Sequence, residues 1–321
     1  MKTDPAPSGL LPIFKSRGMT SKDVSRQLTR KFGRIKLGHV GTLDPLAHGV
    51  LPILIGGATK VQDYLLNHPK TYLFEVAFGY ETTTLDLEGE VCFESPNIPS
   101  EAEIVLALAD FRGSISQEPP IYSAVKFQGK SLHKYARGGK EVDLSDPQLQ
   151  RHVFIKEYEL LNYAPPKARF EATCHKGTYV RCLARDLARK LGTYGTVTDL
   201  LRSQSSGIAS AQTKSLEEVL EHPIETFLLP LDEVQLGLPS LYTDSEQISY
   251  KIKNGQTVTM AIDELLPAVK GLENFESACF PESLAFYQTL GVGHTRSLVG
   301  IVDVHLSDKI ATLQLRRGLW T

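Results

Sequence analysis

The sequence lacks any cysteine framework for metal binding or cross-linking. Its four cysteines, Cys92, Cys174, Cys182 and Cys279, are scattered with no C-x-x-C pair, which excludes a zinc ribbon and a disulfide scaffold and leaves reduced, structural thiols as the expectation. No apolar run approaches the roughly 18 residues that cross a bilayer, and the start carries no basic-then-apolar signal pattern. A cytoplasmic protein without membrane contact is expected. Internal repeats, low-complexity tracts and nucleotide-binding glycine loops are also absent, so solenoids and dinucleotide chemistry drop out. Basic excess is missing too. The formal net charge is −2, which by itself argues against a nucleic-acid partner.

What is present qualifies that last exclusion. Residues 15–36 carry Lys15, Arg17, Lys22, Arg26, Arg30, Lys31, Arg34 and Lys36 against Asp23 alone. A second basic cluster holds Lys126, Lys130, Lys134, Arg137 and Lys140, while acids gather in residues 81–118 and 217–246. Two readings are open for each cluster: a solvated helix face, or part of one basic face gathered for a polyanion. With 41% hydrophobic residues in 321, the chain can bury the core of a large domain and still carry a smaller one.

Periodicity places the elements. Thr20 and Asp23 make a capping-box-like start, Val24, Leu28 and Phe32 recur at helical spacing, and Gly33 closes a helix over residues 20–32. Tyr72, Phe74, Val76 and Phe78 alternate onto one face of a strand over 71–78. Ser100 and Glu103 open another helix with Ile104, Leu108 and Phe111 inward. Strands follow within 150–175. A helix then runs to about 191, with Leu183, Leu187 and Leu191 as its apolar stripe and Arg181, Arg185 and Arg189 as a basic edge beside it. Residues 222–240, with Pro223, Pro230 and Pro239, read as a linker into a strand-rich unit that ends in a hairpin turning at residues 307–309. Strands and helices interleave irregularly, which predicts an α+β domain over a doubly wound parallel sheet.

The most informative stretch is residues 38–52, Gly-His-Val-Gly-Thr-Leu-Asp-Pro-Leu-Ala-His-Gly-Val-Leu-Pro. Gly38, Gly41 and Gly49 permit backbone angles and close ligand approach that a side chain would block, while Leu43, Leu46, Val50 and Leu51 can anchor the loop. Asp44 is thereby presented as a nucleophile or base. The competing reading is a helix N-cap, since Asp followed by Pro is a common helix start.

That stretch resembles the active-site motif of the TruB family of tRNA pseudouridine 55 synthases, with Val40 and His48 standing where the family usually has threonine. Further segments resemble the same family in order. Residues 15–21, Lys-Ser-Arg-Gly-Met-Thr-Ser, are similar to its Lys-Pro-x-Gly-x-Thr-Ser segment, with Ser16 in place of proline. Lys70-Thr71-Tyr72 resembles the strand that supplies its active-site tyrosine, followed by Thr82, Thr84, Asp86 and Gly89. Residues 117–126 (Gln-Glu-Pro-Pro-Ile-Tyr-Ser-Ala-Val-Lys) and 176–181 (Lys-Gly-Thr-Tyr-Val-Arg) resemble two more of its signatures, and Leu201-Arg202 with Gly207 a last one. Together they span most of residues 9–256.

The resemblance implies a pseudouridine synthase fold with a mixed, mostly antiparallel central sheet flanked by helices. It implies a catalytic domain over 1–240 with an RNA-gripping insertion near 125–152, and a small β-rich, PUA-like domain over 241–321. The implied reaction converts uridine 55 of the tRNA TΨC loop to pseudouridine with no cofactor and no metal. In the implied site Asp44 is the catalytic carboxylate and Arg181 the cation that keeps it charged and aimed. Tyr72 stacks on the flipped base, His39 fills the vacated stack, Leu201 walls the pocket, and Lys15 belongs to the substrate-binding set. Without the resemblance, Tyr72 reads equally as core packing, Leu201 reads as core packing, Arg181 as a surface arginine and His39 as a structural hydrogen-bonder. The implied partner is the T-arm of tRNA, with a monomer and no obligate protein partner. The rivals are a guide-RNA-dependent synthase, a tRNA chaperone without chemistry, and a glycosidase. The last would want a second, paired carboxylate.

Overall fold

The computed structural model describes residues 7–271, 282–290, 295–307 and 310–319. Cys279 and the hairpin-turn residues Asp308 and Lys309 lie outside the described residues. A ten-stranded sheet forms the larger layer, in the order Lys214–Ser215, Gly9–Lys15, His48–Ile55, Gly195–Ser205, Lys70–Phe78, Lys167–Cys174, Arg151–Ala164 and Gly113–Gln117. Short strands Leu37–His39 and Ile208–Ala209 pair at its side. Two pairings are parallel, Gly9–Lys15 with Lys214–Ser215 and His48–Ile55 with Gly195–Ser205; the rest are antiparallel. This is the mixed, mostly antiparallel sheet of an α+β domain.

Local chemistry explains the elements that carry the site. The Lys70–Phe78 strand buries Tyr72, Phe74, Val76 and Phe78, and Phe74 stacks on Phe170 of the neighbouring strand. Helix Ser21–Phe32 starts on a full Thr20/Asp23 capping box and buries Val24 and Leu28. Gly33, at φ +82, ends it in a conformation that a side chain would resist. Helix Val180–Lys190 packs Leu183, Ala184 and Leu187 on the sheet.

Residues 222–240 are not a free tether. Leu10 and Leu229 exchange backbone hydrogen bonds at 2.8 Å each, and Ile224, Val234 and Leu236 are buried, so the proline-rich strap is held down by the apolar residues between its prolines. Beyond it lies a curled six-stranded sheet in the order Val258–Ala261, Ile310–Gly318, Thr295–Ser307, Ser283–Leu290, Ser240–Thr243 and Val269–Lys270. Its Ile310–Gly318 strand grips the 56–67 segment through Arg317, which donates to the Lys60 carbonyl and pairs with Asp63, while Lys60 Nζ returns a 2.8 Å bond to the Gly318 carbonyl.

Candidate active site

Asp44 sits in a turn, not at a helix start. The Ala47 N–H donates to the Asp44 carbonyl at 3.1 Å, and the chain passes at once into the His48–Ile55 strand. The N-cap reading therefore fails: Pro45 serves a β-turn instead. Gly49, at φ +106, permits this tight exit, since a Cβ there would meet the Arg202 carbonyl oxygen at 2.4 Å.

The loop is braced from several sides through its backbone. Ser21 Oγ accepts from Leu43 N at 2.9 Å, Gly18 N donates to the Pro45 carbonyl at 2.9 Å, and Arg202 donates to the carbonyls of Val50 at 2.7 Å and Gly41 at 3.0 Å. Lys15 Nζ donates to the Met19 carbonyl at 2.7 Å and the Ser16 carbonyl at 3.0 Å, and reaches that of Pro45 at 3.5 Å. Lys15 is fully buried, which corrects its placement on an RNA-facing basic surface. Its ammonium is committed to carbonyls and stiffens the loop, and burial pulls it down to about 8 against the pull of Asp44's charge.

A cavity of about 270 Å³ opens beside the loop, lined among others by Asp44, Lys70, Tyr72, Tyr179, Leu200 and Arg202. A cleft of about 680 Å³ elsewhere is lined by Phe78, Val91, Ile98, Pro165 and Pro166, with Glu94 as the only charged group among the described residues of its wall, so of these two the smaller cavity is equipped for chemistry.

At its mouth Asp44 Oδ2 meets Arg181 Nη2 at 2.8 Å, the carboxylate being 34% and the guanidinium 4% exposed. Arg181 Nη1 lies 3.3 Å from Asp86 Oδ2 and donates to the Thr84 carbonyl at 2.6 Å. Burial opposes the charge on Arg181, but the flanking carboxylates of Asp44 and Asp86 outweigh it and raise its pKa. The guanidinium is thus a fixed cation clamped between a buried carboxylate and a half-exposed one. Asp44 is left partly free and oriented.

The remaining predicted residues divide. Tyr72 lines the cavity beside Arg202; burial raises the pKa of its phenol, partly offset by that cation. His39 stands outside the lining, its Nε2 3.2 Å from Thr42 Oγ1 and its carbonyl accepting from Gln62. Leu201 is not in the wall; Leu200 and Arg202 are. Alternation along a strand turns neighbouring side chains to opposite faces, and Leu201 packs toward Gly49. The expected basic edge of the Val180–Lys190 helix is also corrected. Arg181 and Arg185 are buried, Arg185 bonding Asp186 and the Glu118 carbonyl, and Arg189 pairs with Glu81. The other cations of residues 17–36 and 126–140 are exposed. Asp86, Lys70 and Arg202 were missed as site residues. All three fall inside segments that carry the family resemblance, but nothing in their spacing tells of burial.

Comparison with known proteins places this geometry. Residues 29–180 match the family described as TruB family pseudouridylate synthase (N terminal domain). The tRNA pseudouridine synthase B of Caldanaerobacter subterraneus subsp. tengcongensis is 42% identical, over 78% of this chain and 86% of that protein. That of Limosilactobacillus reuteri is 41% identical, over 77% and 84%. Among solved structures, a chain of an H/ACA RNP bound to a substrate RNA superposes with TM-score 0.70 at 16% identity, covering 98% of this chain and 85% of that one. A chain of a Cbf5-Nop10-Gar1 complex does so with TM-score 0.69 at 20% identity, covering 97% and 85%. These two share the fold: a mixed sheet with helices and a curled C-terminal β domain. On the identity and coverage of its bacterial relatives, the chain belongs to the TruB family of pseudouridine synthases, enzymes of the isomerase class.

Proposed function

We propose that this protein converts uridine 55 in the T-loop of tRNA to pseudouridine, acting alone as a monomer and without cofactor or metal. The observation that carries the reading is the 2.8 Å Asp44–Arg181 pair at the mouth of a cavity with Tyr72. The overall change replaces a C1′–N1 bond by a C1′–C5 bond with no net oxidation or loss of atoms, so acid–base and electrostatic groups suffice.

A uridine stacked in a folded loop must leave the stack before Asp44 can reach it, at a cost of a few kcal/mol. Stacking on Tyr72, worth about 1 to 3 kcal/mol, offsets much of this. His39, half-buried outside the cavity, fills the gap that the base leaves. Asp44, charged and aimed by Arg181, then attacks C1′, adds to C6 of the base, or takes the C2′ proton. The glycosidic bond opens, the uracil turns, and C5 bonds to C1′. The exposed cations Arg26, Arg30 and Arg34 on helix Ser21–Phe32 and its end, with those of residues 126–140, supply phosphate contacts that the net charge conceals.

The test is to incubate unmodified tRNA, and separately a T-arm hairpin, with the purified protein alone and to map pseudouridine. Modification of both at position 55 is expected. Modification at another position, or only when a guide RNA or protein partner is added, would overturn the reading.

A further inference from the structure

The cavity floor carries charge that the Asp44–Arg181–Asp86 cluster does not use. Lys70, 5% exposed, and Arg202, 0% exposed, both line it. They lie side by side beneath Gly41, where a Cβ would meet Arg202 Nη1 and Lys70 Cε at 3.3 Å each. Lys70 Nζ donates to the carbonyls of Leu66 at 2.9 Å and His68 at 2.8 Å. Arg202 donates to the carbonyls of Gly41 and Val50 and lies beside the Tyr72 phenol. Among the described residues neither forms an ion pair with a carboxylate. Two like charges held out of water with dipoles but no counter-ion make a costly arrangement, tolerable where an anion visits.

We propose that Lys70, with Arg202 beside it, stabilises the negative charge that the uracil ring acquires as its bond to the ribose opens. The inference rests on the pseudouridine reaction but not on the route Asp44 takes. If Asp44 attacks C1′ or removes the C2′ proton, the C1′–N1 pair departs with the base and spreads over N1, O2 and O4. If Asp44 adds to C6, the C5–C6 pair moves toward O4. In each case the ring carries the charge, closure of the C5–C1′ bond consumes the pair, and the proton shed by C5 is matched by the one N1 gains. Fixed cations facing the place where charge develops need no reorganisation during the reaction.

The groups facing Lys70 are Arg202, Cys174, Lys176 and His68. Burial pulls Lys70 down to about 8, with Arg202 adding to the effect and Cys174 opposing it. The Cys174 thiol is itself pushed up to about 11 by burial, and burial lowers the His68 imidazole, so neither changes charge where Lys70 does. Lys15, also near 8, titrates in the same range, and rate ratios between variants cancel it. A lysine whose folded pKa is depressed is charged at a cost to the fold. Between about 8 and the ordinary 10.5 stability therefore rises with pH, because the unfolded chain binds more protons, while the proposed rate contribution falls.

The experiment measures single-turnover formation of pseudouridine at saturating protein from pH 7 to 10, with tRNA affinity, for wild type, Lys70→Met and Lys70→Arg. At pH 7 Lys70→Met should be slower by about 100-fold, the scale of losing one stabilising donor, and Lys70→Arg should recover most of that loss. The wild-type to Lys70→Met ratio should shrink above pH 8, and the Lys70→Arg to wild-type ratio should grow there. The second ratio serves alone if Lys70→Met does not fold. A Lys70→Met rate equal to wild type, ratios independent of pH, or an effect confined to tRNA affinity would overturn the proposal, the last pointing to a phosphate contact. A wild-type protein that makes no pseudouridine would instead overturn the reaction itself.

Discussion

Removing the Arg181 guanidinium separates what it does for the fold from what it does for Asp44. Arg181→Met keeps the apolar stem but strands Asp86, which is 2% exposed. The donors left to that carboxylate, Thr84 Oγ1 and the Glu88 N–H, supply dipoles but no counter-charge. Breaking a buried pair in this way costs about 3 to 5 kcal/mol, most of it the price of an uncompensated charge. Asp86→Asn removes that charge while keeping the shape. The double variant Arg181→Met/Asp86→Asn should then be more stable than the sum of the single losses by about 1 to 3 kcal/mol. Its activity should not return, because Asp44 still lacks the cation 2.8 Å away. Urea unfolding of the wild type and three variants gives the coupling, and single-turnover rates give the chemistry. Additive stability losses would show that Asp86 is not held by Arg181, and restored turnover in the double variant would show that Arg181 serves catalysis only through the fold.

Two other outcomes follow from the same geometry. Tyr72→Phe should bind tRNA normally but react more slowly, since it keeps the ring and loses the hydroxyl beside Arg202, whereas Tyr72→Leu should weaken binding and rate together; near-normal rates for both would return Tyr72 to the core. Replacing Arg26, Arg30 and Arg34, all exposed, with Gln should lower tRNA affinity and flatten its salt dependence by about 0.7 to 0.9 log units per lost phosphate contact, with rates on bound tRNA unchanged. Parallel salt slopes would show that this face is merely solvated.

Elements with one strong local signal were legible in the sequence. The capping boxes at Thr20 and Ser100 and the alternation from Tyr72 to Phe78 appear where their spacing placed them, because capping and pleating depend on neighbours in the chain. The Asp44 loop was legible only in part: its glycines and leucines left a presented turn and a helix N-cap both open, and the Ala47–Asp44 hydrogen bond with the immediate entry into a strand decides for the turn. What could not be read was which charges the fold would bury. A helical stripe of Arg181, Arg185 and Arg189 looks the same on a solvated edge as under a covering loop, and only the approach of residues 81–86 and 118–122 buries Arg181 and Arg185 and pairs the still exposed Arg189 with Glu81. Lys15 and Lys70 are disguised in the same way. Leu201 shows a narrower limit. The Gly195–Ser205 strand breaks register between Val197 and Asp199 and again between Arg202 and Gln204, and a count of residues cannot tell which of two adjacent leucines turns inward across such bulges.

On the reading proposed above, Asp44 performs the chemistry and is not merely a turn residue. Asp44→Asn keeps the shape of the side chain and removes its charge. Pseudouridine at position 55 and tRNA affinity, measured side by side for wild type and Asp44→Asn at saturating protein, test the claim directly. Unchanged affinity and a rate lower by several orders of magnitude are expected, whereas substantial turnover by Asp44→Asn would leave Asp44 a turn residue only.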